Sequence, residues 1–234
     1  MNVDKVIQEL KSFANDERKK TNEWFFKTGK GEYSEHDRFI GVRVPETRQI
    51  AKRHFKDIPF TQLDRLINHP VHEVRHCGLI ILVNKYKSGN KEQAFDYYLQ
   101  NIHAANNWDL VDTTIPHTIG DYIFNHQDRL KILSDYAKSE NLWKRRIAIV
   151  ATFAFIKNNQ FGPTLKISKT LLKDSHDLIH KAIGWMLREV YKKNTEVCKT
   201  FLRENYAQLP RTTLRYAIER MQEDERQIYL KGKF

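Results

Sequence analysis

Apolar residues recur along this chain at intervals of three and four, the period of an α-helix buried on one side. Val3, Ile7, Leu10 and Phe13 form one such stripe near the start. Pro45 suits the first turn of a helix carrying Ile50, Ala51 and Phe55, because a proline there gives up only an N–H that has no partner within the helix. Pro70 opens a segment that runs through Lys87, and Gly89 closes it. Further helical runs fit residues 91–103, 107–124 with an interruption at Pro116, 128–138, 141–157, 162–173, 176–192, 195–205 and 211–221. No segment alternates as a strand would. The one irregular stretch is Lys27 to Val44, which contains Gly29, Gly31 and Gly41.

The helical segments repeat. VRHCGLIIL, LVDTTIPHT, KRRIAIVAT, LIHKAIGWM and TLRYAIERM superimpose so that Gly78, Thr114, Ala148, Ala182 and Ala217 fall in one column, at spacings of 36, 34, 34 and 35 residues. Small residues in a column let neighbouring helices approach closely. Two positions earlier the column reads His76, Asp112, Arg146, His180 and Arg215. Those residues lie roughly 200° round the helix from the small ones, so this column is expected to face away from the packed seam. The period implies an all-α fold: a right-handed α-solenoid of HEAT-like helix pairs, running as a single domain over residues 1–234.

Charge adds a partner class. The 234 residues carry 40 Lys and Arg against 29 Asp and Glu, a formal net charge of +11. Such a balance favours polyanions, nucleic acid first and an acidic membrane surface second. In a solenoid the second helices of the pairs line a concave groove. Arg75, Lys144, Arg145, Arg146, Lys181, Arg188, Arg211 and Arg215 are its candidate cations; the bland alternative is a solvated convex face. The first residues, MNVDKVIQELKSF, are amphipathic and lack the apolar core of a secretory signal. No apolar run approaches a membrane span. Cys77 and Cys198 are distant in sequence and read as core thiols in a reducing cytosol.

Metal and phosphate motifs are missing. The sequence has no HExxH, no CxxC and no Gly-rich loop in a nucleotide-binding context. What remains is aromatic and charged residues at matching places in successive repeats: Trp108 with Asp112 four residues on, Trp143-Lys144-Arg145-Arg146, and Trp185 with Arg188. Each has a structural alternative. Trp108 and Trp185 could be core aromatics, Asp112 a salt-bridge partner of Arg146, and Trp143 a packing residue at a helix start. His76 and His180 suit polar lining better than general bases.

NNWDLVDTTIPHTIGDYI, NLWKRRIAIV and IHKAIGWMLREV together resemble the three signature segments of the AlkD-type DNA alkylation repair family, and RFIGVRVPETRQIAK resembles its N-terminal block. The likeness runs from about residue 20 to 222. It implies a DNA glycosylase acting on duplex DNA, with Asp112 as the catalytic carboxylate, Trp108 and Trp185 as the active-site tryptophans and Arg146 as the anchor for the DNA backbone. Lys144, Arg145, Lys181, Arg188 and Arg215 complete the expected DNA contacts. Two positions depart from the pattern. Asn107 stands where many relatives have a second Trp, and Trp24-Phe25-Phe26 stands where an N-terminal helix can present a Tyr. Both bear on the range of lesions.

The implied chemistry is consistent with the residues. A purine alkylated at N3 or N7 is cationic and leaves the sugar readily, because departure neutralises it. The transition state resembles an oxocarbenium ion on the deoxyribose. A fixed carboxylate stabilises that charge and can orient a water, and indole faces attract cations. The expectation is therefore a monomeric, cytoplasmic, nucleoid-associated bacterial glycosylase that excises 3-methyladenine and 7-methylguanine and needs no metal or cofactor. Two rival readings remain: a non-catalytic repeat protein that binds damaged or branched DNA, and a protein-interaction scaffold.

Overall fold

The computed structural model describes residues 2–234, which divide into two compact units, one ending at Thr114 and the other spanning Ile115–Phe234. The first contains α1 (Asn2–Ser12), α2 (Asp16–Phe25), α3 (Val44–His54), α4 (Phe60–Ile67), α5 (His72–Lys87), α6 (Lys91–Gln100) and α7 (Trp108–Thr114). The second contains α8 (Ile119–Asn125), α9 (Lys131–Tyr136), α10 (Leu142–Ala151), α11 (Phe153–Lys157), α12 (Gly162–Leu171), α13 (Asp177–Lys193), α14 (Thr195–Asn205), α15 (Arg211–Ala217) and α16 (Glu223–Lys231). The described residues contain no strand, and an isolated parallel bridge joins Arg38 to Val71. None of their helices is long and apolar enough to cross a membrane.

Each unit is organised on one long helix. In the first, α5 is buried from His72 through Val83 and packs on α3, α4, α6 and α7. In the second, α13 buries Ile179, Ala182, Ile183, Met186, Leu187 and Val190, a three-and-four stripe that packs on α10, α11, α12, α14 and α15. Side chains cap several of the helix starts. The Asn15, Asn141 and Asn194 Oδ1 atoms accept from N–H groups of α2, α10 and α14, satisfying donors that have no partner within the helix.

The repeat column is a packing seam. Thr114, Ala148, Ala182 and Ala217 have no exposed surface, and Gly78 is buried. A Cβ added at Gly78 would lie 2.8 Å from the Leu66 Cβ, and one at Gly184 would lie 2.4 Å from the Tyr216 Cβ. These helices touch where no side chain fits between them.

The polar column behaves differently from the sequence expectation. Arg215 is exposed, while Asp112 and His180 are half-buried and His76 and Arg146 are buried. The reason lies in cross-links one repeat long. Within the first unit the His76 Nε2 meets the Thr113 Oγ1 at 3.0 Å and the His103 Nε2 meets the Asn68 Oδ1 at 2.9 Å. Within the second, Arg146 donates to the Leu178 carbonyl and the Thr213 hydroxyl donates to the His180 carbonyl at 3.0 Å. The polar positions therefore stitch adjacent repeats as well as meeting solvent.

Other departures are local. At the N-terminus Val6 is buried in place of Ile7, and Phe13 is 38% exposed. The run 107–124 breaks at a 3-10 turn, Ile115–His117, around Pro116. The run 141–157 breaks at Thr152, whose hydroxyl donates to the Ile149 carbonyl at 2.7 Å. Both cysteines are buried free thiols.

The seam predicts a cost at Gly184. Gly184→Ala must move α15, since the new Cβ would also sit 2.7 Å from the Thr213 carbonyl oxygen. Overpacking of this kind costs about 1–3 kcal/mol, more than the ~1 kcal/mol that Ala gains over Gly in a helix. Urea unfolding should show a net loss; equal or greater stability would contradict the close approach.

Candidate active site

In the first unit the site is built on α7. Its first residue, Trp108, and Asp112 are one turn apart and share a face. Both are half-buried. Between them Asp109 is buried and turned inward. Its Oδ2 meets the His72 Nε2 at 2.8 Å, and its Oδ1 accepts the Leu110 N–H at 2.8 Å.

His72 is held from both sides. Its Nδ1 lies 3.2 Å from the Asp37 Oδ2. Ionised carboxylates only accept, so both ring nitrogens carry protons and the ring is an imidazolium. Burial opposes that charge, but Asp109 and Asp37 outweigh it and raise the pKa to about 9. Asp37 also accepts from the Arg75 guanidinium and, at 2.8 Å, from the Asn107 Nδ2. Burial works against its charge too, yet the His72 hydrogen bond and the Arg75 charge hold its carboxyl down at about 2. Two anions and two cations thus balance inside the fold.

Asp37 comes from the irregular stretch, and that stretch is pinned. Buried Glu73 accepts the N–H groups of Ile40, Gly41 and Val42, at 2.8 Å for Gly41. Gly41 has φ +79°, and a Cβ there would lie 2.2 Å from the Asn15 carbonyl oxygen, so glycine is required.

Aromatic rings continue the support. The His72 ring stacks on Phe39 at 4.6 Å, Phe39 on Phe26 at 4.9 Å, and Phe26 on Trp108 at 5.1 Å and 10°. Phe25 meets Trp108 edge-on at 5.8 Å and is itself 54% exposed. The two departures from the sequence pattern are explained here. Asn107 is fully buried, with Nδ2 donating to the Ser34 hydroxyl at 2.6 Å and Oδ1 accepting the Trp108 N–H at 2.8 Å. Phe26 is the ring on which Trp108 rests.

The remaining expected residues lie in the second unit. Trp185 is half-buried on α13, 6.0 Å from Phe153. Arg146 is only 4% exposed and donates to the Leu178 carbonyl. Arg145 is engaged by the Asp174 Oδ2 at 2.5 Å and by the Ser139 and Glu140 carbonyls. Arg188 pairs with Glu219, and Lys181 with Asp177 at 2.8 Å. The Lys144 Nζ lies 5.5 Å over the Tyr136 ring. Arg211 donates to the Leu230 carbonyl. Arg215 is exposed and makes no hydrogen bond or ion pair among the described residues. In the first unit Arg75 is buried and holds Asp37. The cations chosen from sequence as one group are thus largely engaged within the protein.

Sequence reasoning missed His72, Asp37 and Phe39, and marked Phe26 only as a departure from the family pattern. The available signal was the repeat itself: His72 and Asp109 are 37 residues apart, and Asp37 and Arg75 are 38 apart.

An all-helical repeat protein with a carboxylate and an indole on one helix face is the class these features define. The model of the DNA alkylation repair enzyme family matches residues 6–221, and the chain belongs to that family. Its role accordingly lies in the repair of alkylated DNA. A solved structure, a predicted DNA alkylation repair enzyme from Enterococcus faecalis, shares the fold with a TM-score of 0.71 at 20% identity, over 90% of this chain and 97% of that one. Among curated proteins no significant match is found.

The two histidines of α5 set opposite pH limbs. His72 gains a proton on folding, so its stabilisation is full below the unfolded value of 6.5 and is lost as pH rises through about 9. For His76, burial outweighs the pull of Asp109, and the His72 and Arg48 charges add to it, lowering the pKa to about 4. Its contribution is full above 6.5 and is lost as pH falls towards 4. Unfolding free energy should therefore peak near pH 6.5. His76→Gln should flatten the acid limb and His72→Gln the alkaline one. Limbs unchanged in both variants would dissociate these residues from the pH dependence.

Proposed function

We propose that the protein is a DNA N-glycosylase that removes cationic N3- and N7-alkylpurines, 3-methyladenine and 7-methylguanine, from duplex DNA. The observation that supports this best is the division of labour on α7. Asp109 is buried and neutralised by His72, whereas Asp112 is half-open on the face it shares with Trp108. A half-open carboxylate on the same helix face as an indole stacked on Phe26 suits a cationic sugar.

In the proposed reaction the bond from the deoxyribose C1′ to the base nitrogen breaks, and its electron pair neutralises the base. Positive charge moves onto the sugar. Asp112 stabilises that charge and orients the water that adds to C1′; the water's proton passes to Asp112 or to solvent. The products are a neutral free base and an abasic site. The resemblance assigns Trp185 the matching aromatic role.

For backbone contacts we assign Arg215 and Lys181, with Lys144, Arg145 and Arg188 adding positive potential while holding their own partners. Arg146 keeps its assignment as an anchor, with the added duty of holding the Leu178 carbonyl.

Asp112→Asn keeps the side chain's size and removes its charge. Under single-turnover conditions it should slow base release from duplexes rich in 7-methylguanine by on the order of a hundredfold. Binding to undamaged duplex should hold or improve slightly. Equal rates in wild type and variant would remove Asp112 from the chemistry. A wild type that binds methylated duplex but releases no base would instead favour the non-catalytic binder.

Arg215→Ala should lower the slope of log affinity against log salt by about one contact and leave stability unchanged. Arg146→Ala should weaken binding and also lower the melting temperature, because the half-buried Leu178 carbonyl loses its donor. A salt slope unaffected by Arg215→Ala would take that residue off the contact surface.

A further inference from the structure

His72 is joined to Trp108 by two separate routes. The first runs through hydrogen bonds: the His72 Nε2 holds Asp109, the residue after Trp108, and Asp109 in turn holds the Leu110 N–H in the first turn of α7. The second is the column of rings from His72 through Phe39 and Phe26 to Trp108. One route fixes the start of the helix that carries Asp112. The other fixes the plane of the indole.

We propose that His72, as a doubly hydrogen-bonded imidazolium, is the positioning residue of the base-release site, setting both the Trp108 indole and the first turn of α7. This rests on the glycosylase reading above. His72 touches neither base nor sugar in this scheme; it acts through Asp109 and the rings.

The device depends on the proton. With both nitrogens protonated, each carboxylate faces a donor. Loss of either proton turns one nitrogen into an acceptor opposite a carboxylate oxygen, and that contact becomes repulsive. The charged and titratable groups around the ring are Asp37 from the irregular stretch, Asp109 from α7, and Arg75 and His76 from α5 itself, with Arg48 of α3 acting on His76. Asp37 is secured by Arg75 and Asn107 as well as by His72. Among the described residues Asp109 has no other side-chain donor as close as His72. Whichever proton leaves, the charge attraction that holds Asp109 is lost, and through Asp109 the change reaches the start of α7. Displacements of about 1 Å in catalytic groups can cost a hundredfold in rate.

The experiment combines kinetics and spectroscopy on the full chain. Single-turnover release of 7-methylguanine from methylated duplex is measured across pH for wild type and His72→Gln. Gln cannot donate from two opposite ring positions at once. The wild-type rate should be flat through neutrality and fall in one alkaline step. His72→Gln should be slower at neutral pH by about tenfold or more, lack the alkaline step, and bind undamaged duplex as wild type does. A folded His72→Gln that matches the wild-type rate overturns the proposal.

If His72→Gln fails to fold, a titration of wild type supplies the test. Nitrogen-15 NMR follows the His72 ring, and the Trp108 indole N–H, assigned by its loss in Trp108→Phe, should shift with the same midpoint. An indole signal indifferent to His72 titration overturns the proposal. If wild type releases no base, the glycosylase reading fails, and the NMR coupling still decides whether His72 sets the position of Trp108.

Discussion

A protonated imidazole held between two carboxylates is the contact on which the first unit depends. It ties three pieces of chain that share no local sequence logic: the irregular stretch carrying Asp37, the central helix carrying His72, and the short helix carrying Asp109. Arg75 brings the count to two positive and two negative groups, so the buried set is neutral as a whole. Such sets are robust only when complete. Removing one partner from a buried pair leaves an uncompensated charge and costs about 3–5 kcal/mol. The half-open residues Trp108 and Asp112 therefore rest on a foundation that is largely out of solvent.

The repeat is used twice over. Its small positions let helices meet closely, as Gly78 does against α4, and Gly184, two residues past the column position Ala182, does the same against α15. Its polar positions and their neighbours reach about one period along the chain, with partners separated by 37 residues for His76 and Thr113, 32 for Arg146 and the Leu178 carbonyl, and 38 for Arg75 and Asp37. A side chain that bridges repeats is lost as a free surface charge. The net positive charge of the chain therefore overstates how many of its guanidinium groups stand ready for phosphate.

The long helices were legible because a one-sided apolar period survives any detail of packing. Three helices were not marked: α2, which buries nothing, α4, only eight residues long, and α16, polar along most of its length. Breaks within runs were harder still, since Thr152 interrupts a helix by bonding its own backbone. Of the site, Trp108 and Asp112 stood out as a motif on one helix face. His72, Asp37 and Phe26 did not, because their importance arises only when the irregular stretch folds against α5 and α7. Exposure was the weakest inference: Arg146 sits where helix geometry points outward, but the neighbouring repeat occupies that space.

The two thiols have a further significance in a protein of alkylation repair. Cys77 and Cys198 are both buried, and burial pushes each thiol up to about 12. The thiolate, not the thiol, is the nucleophile that attacks electrophilic methylating agents. A protein of alkylation repair thus keeps both of its thiols shielded and protonated, out of reach of the chemical insult that creates its substrates.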